Sequence, residues 1–202
     1  MLEYYKSHPA LAVLMLALIV FAVIVFIKAV ISSEKRAKKK QEIIKKLETD
    51  KKLREKFTTL TTELISSADP VELFRGVGFA LQKRVADKSD MNAEFDTLTE
   101  GQKCVYSMLV LVDESEKTLS DFFKANGKPL TDYALKAAET IGGEFADTVK
   151  FEFDAYDSDN EEVSCIPAEI LEADKKAAPF ISDGTASMIM GEYIKANPSE
   201  FI

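Results

Sequence analysis

The chain has 202 residues, a formal net charge of -8 at pH 7 and 47% hydrophobic residues. This composition argues against a disordered tail, and the negative charge argues against a protein that coats nucleic acid with basic side chains. The charge is unevenly distributed, because residues 1–31 carry +1, residues 32–56 carry +6 and residues 57–202 carry -15. The sequence therefore predicts an apolar head, a basic middle segment and an acidic body.

The apolar head contains an uninterrupted run of apolar residues over 10–27, and three more follow Lys28. A helix of about 20 apolar residues is long enough to cross a bilayer. A buried core helix would be shorter and broken by polar positions, and a cleaved secretory signal would have a shorter apolar core and a small-residue cleavage site. We therefore expect a single transmembrane helix over 10–31, preceded by a short extracytoplasmic segment at 1–9.

The flanks of this helix predict its orientation. Five basic residues follow it closely: Lys35, Arg36, Lys38, Lys39 and Lys40. Basic residues beside a membrane span stay preferentially on the cytoplasmic side. The expected location is the plasma (inner) membrane, with the N-terminus outside and the C-terminal domain in the cytoplasm. The helix and the five basic side chains are the expected contacts with membrane lipids.

Residues 34–67 contain no glycine or proline, which predicts a basic juxtamembrane helix over 32–67. A short apolar seam runs along it, with spacings of four, three and four positions, and consists of Leu53, Phe57, Leu60 and Leu64. Packing of this seam on its own domain is favoured over a dimer contact, and both interpretations stay open.

The acidic body, residues 68–202, is predicted to be a compact multi-helix domain. Asp69 has the features of an N-cap, and Thr99 begins a helix that is expected to continue to about Ala125. Gly142 ends a further helix. Because no convincing run alternates apolar and polar residues, the fold class is all-α.

Catalytic signatures are missing from the body. Its sequence has no histidine, since the single one in the chain is His8. Cys104 lies on an apolar helix face and is expected to be a small buried side chain rather than a nucleophile. The segment 76–78, Gly-Val-Gly, lacks the other features of a phosphate-binding loop and predicts a close helix contact instead. We expect no catalytic residue, no cofactor and no enzymatic activity.

The strongest local chemical feature is a group of acidic residues that form a candidate interaction surface: Glu152, Asp154, Asp157, Asp159, Glu161 and Glu162. Such side chains can supply oxygen ligands to calcium or magnesium, but their spacing does not fit an EF-hand loop. A solvated acidic loop is the favoured interpretation, and weak binding of a divalent cation is the alternative.

Several short motifs follow one another in the second half of the chain: Gln102 and Tyr106, the segment 121–126, Ala134 and Leu135 through Ala138 to Gly142, and the terminal segment 193–201. In this order, residues 98–202 resemble a bacterial all-helical domain family of unknown activity that includes a DNA-mimic protein. The Asn-Gly-Gly-Phe element usual in that family is replaced here by the segment 116–119. The resemblance implies an all-helical fold, and DNA mimicry as one function.

Taken together, the sequence predicts a single-pass membrane-anchored protein whose acidic helical domain acts as a non-catalytic protein-interaction module. A protein partner is expected, since an acidic surface steers basic partners, and direct binding to nucleic acid is not. Two alternatives are a DNA mimic that sequesters a DNA-binding protein and a carboxylate-dependent, metal-assisted hydrolase.

Overall fold

The computed structural model describes residues 28, 38, 40, 41, 43–115, 118–156 and 167–202. The chain divides into two compact units, Met1–Thr49 and Asp50–Ile202. In the first unit, residues 43–49 are helical. The core and the candidate site described below lie in the second unit.

The described part of the chain is all-helical and contains no strand, which confirms the all-α prediction. In chain order the helices are α1 (43–56), α2 (Thr62–Ser67), α3 (Pro70–Ala86), α4 (Met91–Asp96), α5 (Glu100–Glu114), α6 (Leu119–Ala125), α7 (Leu130–Ile141), α8 (Gly143–Tyr156), α9 (Pro167–Ser182) and α10 (Thr185–Ala196), with a short 3-10 helix at Pro198–Glu200.

Three predicted helix boundaries are confirmed. Asp69 caps α3, because its Oδ1 atom accepts the backbone N–H groups of Val71 and Glu72 at 3.0 and 3.1 Å. Thr99 caps α5 as part of a capping box. Gly142 ends α7 with a φ of 77°, a backbone conformation that favours glycine. Local sequence therefore sets these three boundaries.

The predicted helix from Thr99 to Ala125 is wrong, because the structure contains two helices there. The first, α5, ends at Glu114, and α6 begins at Leu119. Asp174 of α9 accepts hydrogen bonds from the backbone and the hydroxyl group of Ser120, at 2.9 and 3.1 Å. A distant carboxylate thus satisfies the first turn of α6 and stabilises a new helix start there.

The predicted continuous helix over 32–67 is also interrupted. Helix α1 ends at residue 56, and α2 begins at Thr62. Phe57, which lies between the two helices, and Ile65, which lies in α2, are both buried in the core of the second unit. Because these side chains pack on the domain, its compact unit begins at Asp50, ahead of the predicted boundary at residue 68. The interpretation of the seam as packing on its own domain is favoured by this burial.

The structure corrects the membrane prediction. Among the described residues, no helix combines the length and the apolar character needed to cross a bilayer. Even α3, with 17 residues, carries charged side chains such as Glu72 and Arg75. The predicted span over 10–31 lies outside the described residues, except for Lys28. The transmembrane helix, the single-pass topology and the plasma-membrane location are therefore not supported.

The core of the second unit is built around α3, α5 and α10. Gly191 of α10 lies so close to the backbone of Pro70 that a Cβ atom at this position would overlap it. A Cβ at Gly78 would lie 2.9 Å from Leu109 of α5, and one at Gly76 would overlap the ring of Phe57. The expected close helix contact at 76–78 is confirmed. These contacts hold α3 closely against α5 and α10.

The two ends of the segment 98–202 meet in the structure. The side-chain amide of Gln102 donates a hydrogen bond to the backbone oxygen of Glu200 at 2.9 Å. The carboxylate of Glu200 accepts the backbone N–H of Gly101 at 2.6 Å. The chain end is thereby attached to the first turn of α5, where a negative charge is favourable.

Candidate functional site

Helices α8 and α9 face each other across an open groove of about 430 Å³. The lining residues recur every three to four positions on each helix, so that each set forms one helix face. The α8 face consists of Glu144, Asp147, Thr148 and Phe151, and the α9 face of Glu169, Glu172, Ala173 and Lys176. The volume lies in the range of ligand pockets, about 300–1,000 Å³.

The groove is strongly acidic. Its four carboxylate side chains, those of Glu144, Asp147, Glu169 and Glu172, are exposed. Among the described lining residues the single cation is Lys176, which pairs with Glu172 at 3.7 Å. Side chains of one charge that line a cleft focus the electrostatic potential and attract partners of the opposite charge.

The groove also presents apolar surface. The ring of Phe151 is 40% exposed and lies among the carboxylates. Ala173 contributes a small buried surface on the opposite helix. Aromatic side chains that remain accessible supply much of the binding energy in protein interfaces. The groove thus combines charge for attraction with an apolar contact for affinity.

A buried polar cluster lies at the contact between α8, α9 and α6. Asp174 accepts two hydrogen bonds from Ser120, as described above, and Lys124 donates to the Ser120 hydroxyl at 3.3 Å. Glu152 of α8 is 0% exposed and lies beside Asp174. The cluster places two carboxyl groups together inside the domain.

The carboxyl group of Glu152 has a raised pKa, which favours its protonated form. Burial raises the pKa of this carboxyl to about 8, with a further contribution from the negative charge of Asp174, whereas Lys124 acts in the opposite direction. As a carboxylate, Glu152 finds no hydrogen-bond donor among the described residues. Once protonated, it can donate to Asp174. The side chain of Glu152 is thus enclosed at the contact between α8 and α9.

The structure describes only two of the six residues of the predicted acidic surface, and one of these two does not lie at the surface. Glu152 is buried and cannot contribute to a surface, which corrects that assignment. Asp154 is exposed and pairs with Lys150 at 3.2 Å. The remaining four residues, Asp157, Asp159, Glu161 and Glu162, lie outside the described residues. The acidic groove instead uses four carboxylates that the sequence had not singled out.

The structure describes two of the five basic residues that were predicted to contact lipid. Lys38 and Lys40 are helical and exposed, whereas Lys35, Arg36 and Lys39 lie outside the described residues. Exposure alone is the usual condition of a lysine side chain. Since a membrane span is not supported, contact of these lysines with lipid stays a prediction.

The thiol of Cys104 is half-buried on α5. Burial raises its pKa to about 11, so that the thiolate required for nucleophilic attack is scarce at neutral pH. Within the described residues, no group of three or more histidine, cysteine, aspartate or glutamate side chains is placed to hold a metal ion. Chemistry based on a nucleophilic thiol therefore has no support at Cys104.

The sequence contains a pattern that could have indicated the two acidic helix faces of the groove. Glu144 and Asp147 on α8 have the same three-residue spacing as Glu169 and Glu172 on α9. This spacing places each pair on one helix face. What the sequence does not show is that the two faces lie opposite each other.

The chain has no match among protein-family models, curated proteins or solved structures, and the resemblance to the DNA-mimic family stays a prediction.

Proposed function

We propose that this protein is a non-catalytic interaction module that binds a basic, amphipathic segment of a partner protein in the α8–α9 groove. The observation that carries the proposal is the pair of acidic helix faces on either side of the exposed Phe151 ring. Opposite charges would guide the partner to the groove, and an apolar side chain packed on Phe151 would retain it.

The geometry favours a helical partner segment. Each acidic face spans eight residues, and the seven rises between its ends correspond to about 10 Å along a helix axis. Two turns of a partner helix cover the same length and place lysine or arginine side chains along both acidic faces. The partner class is therefore a peptide segment with basic residues on its flanks and an apolar stripe between them.

The test is a titration of the full chain with a synthetic helical peptide that has leucine on one face and lysine on the other. We expect saturable 1:1 binding that weakens as the salt concentration rises, because exposed charges are screened. A peptide of the same length with glutamate in place of every lysine should not bind.

A groove variant separates specific binding from general attraction to an acidic protein. It carries Glu144→Gln, Asp147→Asn, Glu169→Gln and Glu172→Gln. The matched control removes four exposed carboxylates elsewhere, through Glu63→Gln, Asp96→Asn, Glu139→Gln and Glu192→Gln. We expect the groove variant to lose at least about tenfold in affinity and the control to lose less than about threefold. Equal losses in the two variants would contradict the proposal.

A further inference from the structure

A second cavity, of about 360 Å³, lies beside α3, far along the chain from the acidic groove. Its walls include the buried apolar side chains Phe57, Val77, Leu81 and Phe201. Half of the lining residues are apolar and half are polar or charged, and the volume is that of a small-molecule site. None of its lining residues also lines the acidic groove, so the two features can be tested separately.

The charge at this cavity is opposite to that of the groove. Arg54, Lys83 and Arg84 border it, against the single carboxylate of Asp87. Arg84 is occupied by an ion pair with Glu94 at 2.6 Å. Arg54 and Lys83 form no ion pair with the described residues, so their charges are available to a ligand. A basic cavity in an acidic domain attracts an anion.

Arg54 also has an unsatisfied donor. Its Nε atom is buried and has no hydrogen-bond partner among the described residues. Arginine stays charged at any pH relevant to proteins, and a buried donor of a charged group without an acceptor lowers stability. Because this Nε atom has almost no accessible surface, an anionic group in the cavity would offset the positive charge of the guanidinium group without accepting the Nε–H.

We infer that this cavity binds a small anionic amphiphile, a molecule with one apolar chain and a carboxylate or phosphate head. The apolar chain packs against the partly exposed Leu60 and Ala80, beside the buried Leu81 and Phe201. The head lies beside the positively charged guanidinium group of Arg54, and Lys83 adds a second positive charge. This function is independent of the interaction proposed for the acidic groove.

Calorimetric titration of the full chain with octanoate and with octyl phosphate tests the inference. We expect saturable 1:1 binding of at least one of them, and the preferred one identifies the head group. Octan-1-ol, which lacks the charge, and octyltrimethylammonium, which reverses it, should bind at least about tenfold more weakly.

Two variants test the cationic residues against a matched control. Arg54→Gln should reduce affinity about tenfold or more, and Lys83→Gln severalfold, whereas Lys88→Gln, an exposed cation outside the cavity, should change it less than about twofold. The Lys83 side chain is exposed, so its variant gives an answer even if Arg54→Gln disturbs folding. The inference is overturned if neither anion shows saturable binding at millimolar concentration, if octan-1-ol binds equally well, or if Lys83→Gln and Lys88→Gln behave alike.

Discussion

The helix pairs α3–α10 and α8–α9 pack in different ways. The contact between α3 and α10 is apolar and close, with Leu73 and Ile194 fully buried and Gly191 directly against the backbone of Pro70. The contact between α8 and α9 buries the carboxyl groups of Glu152 and Asp174 and leaves an acidic groove open beside them. The first pair is suited to stability, and the second combines a pH-dependent interior with an accessible binding face.

The largest expected effect is a fall in the free energy of unfolding as the pH rises, which arises from the α8–α9 pair and not from the α3–α10 pair. The folded-state pKa of Glu152, about 8, exceeds its ordinary value of 4.5. Between these values the folded protein holds a proton that the unfolded chain releases, so a rise in pH favours unfolding. The free energy of unfolding should fall by roughly 3–4 kcal/mol between pH 5 and pH 8.

Urea unfolding of the Glu152→Gln variant at pH 5 and pH 8 checks this expectation. The variant lacks the titrating group, so most of the fall should disappear. Glu144→Gln removes an exposed carboxylate from the same helix and should leave the pH dependence of the wild type intact. A pH dependence that is the same in the wild type and the Glu152→Gln variant would show that the buried pair does not act as described.

The second expected effect tests the close packing of α3 against α10. Gly191→Ala introduces a Cβ atom that overlaps the carbonyl group of Pro70. Since backbone atoms cannot rotate away, we expect a loss of about 3 kcal/mol in the free energy of unfolding. Gly127→Ala is the matched control, because its Cβ would meet nothing within 4 Å. Urea unfolding of both variants measures the difference, and equal stability would argue against close packing at Gly191.

The smallest effect compares the two aspartates that cap helices in these pairs. Asp69 caps its own helix α3, whereas Asp174 of α9 caps the distant helix α6. Asp69→Ala should cost about 1 kcal/mol at both pH 5 and pH 8. Asp174→Ala should cost more at pH 5 than at pH 8, because at high pH its removal also relieves repulsion with ionised Glu152.

Urea unfolding of the two variants at both pH values distinguishes a purely local cap from one that is coupled to a buried acid. If the loss caused by Asp174→Ala does not depend on pH, the proposed coupling between Asp174 and Glu152 is wrong.

The sequence predicted the features that depend on neighbouring residues. The caps at Asp69 and Thr99 and the stop at Gly142 require only local hydrogen bonds and backbone conformation. The break between α5 and α6 was missed because its stabilising partner, Asp174, is far away in the chain. The short helix α4 was missed because its six residues, Met91–Asp96, are too few to show an apolar periodicity.

The candidate site was harder to predict than the fold. Glu152 was assigned to a surface because charged side chains are usually exposed. Its position, three residues after the buried Val149, places it on the inner face of α8, and this spacing could have indicated burial. The groove depends on the relative placement of α8 and α9, which a single sequence does not contain.

The most direct test of the central claim is the pattern of backbone amide NMR shifts when the lysine–leucine peptide is added to the full chain. The account predicts that the changes concentrate at Glu144–Phe151 of α8 and Glu169–Lys176 of α9, while the α3–α10 contact is unaffected. Changes that are spread evenly over exposed carboxylates, or that centre on α3 and α10, would contradict it.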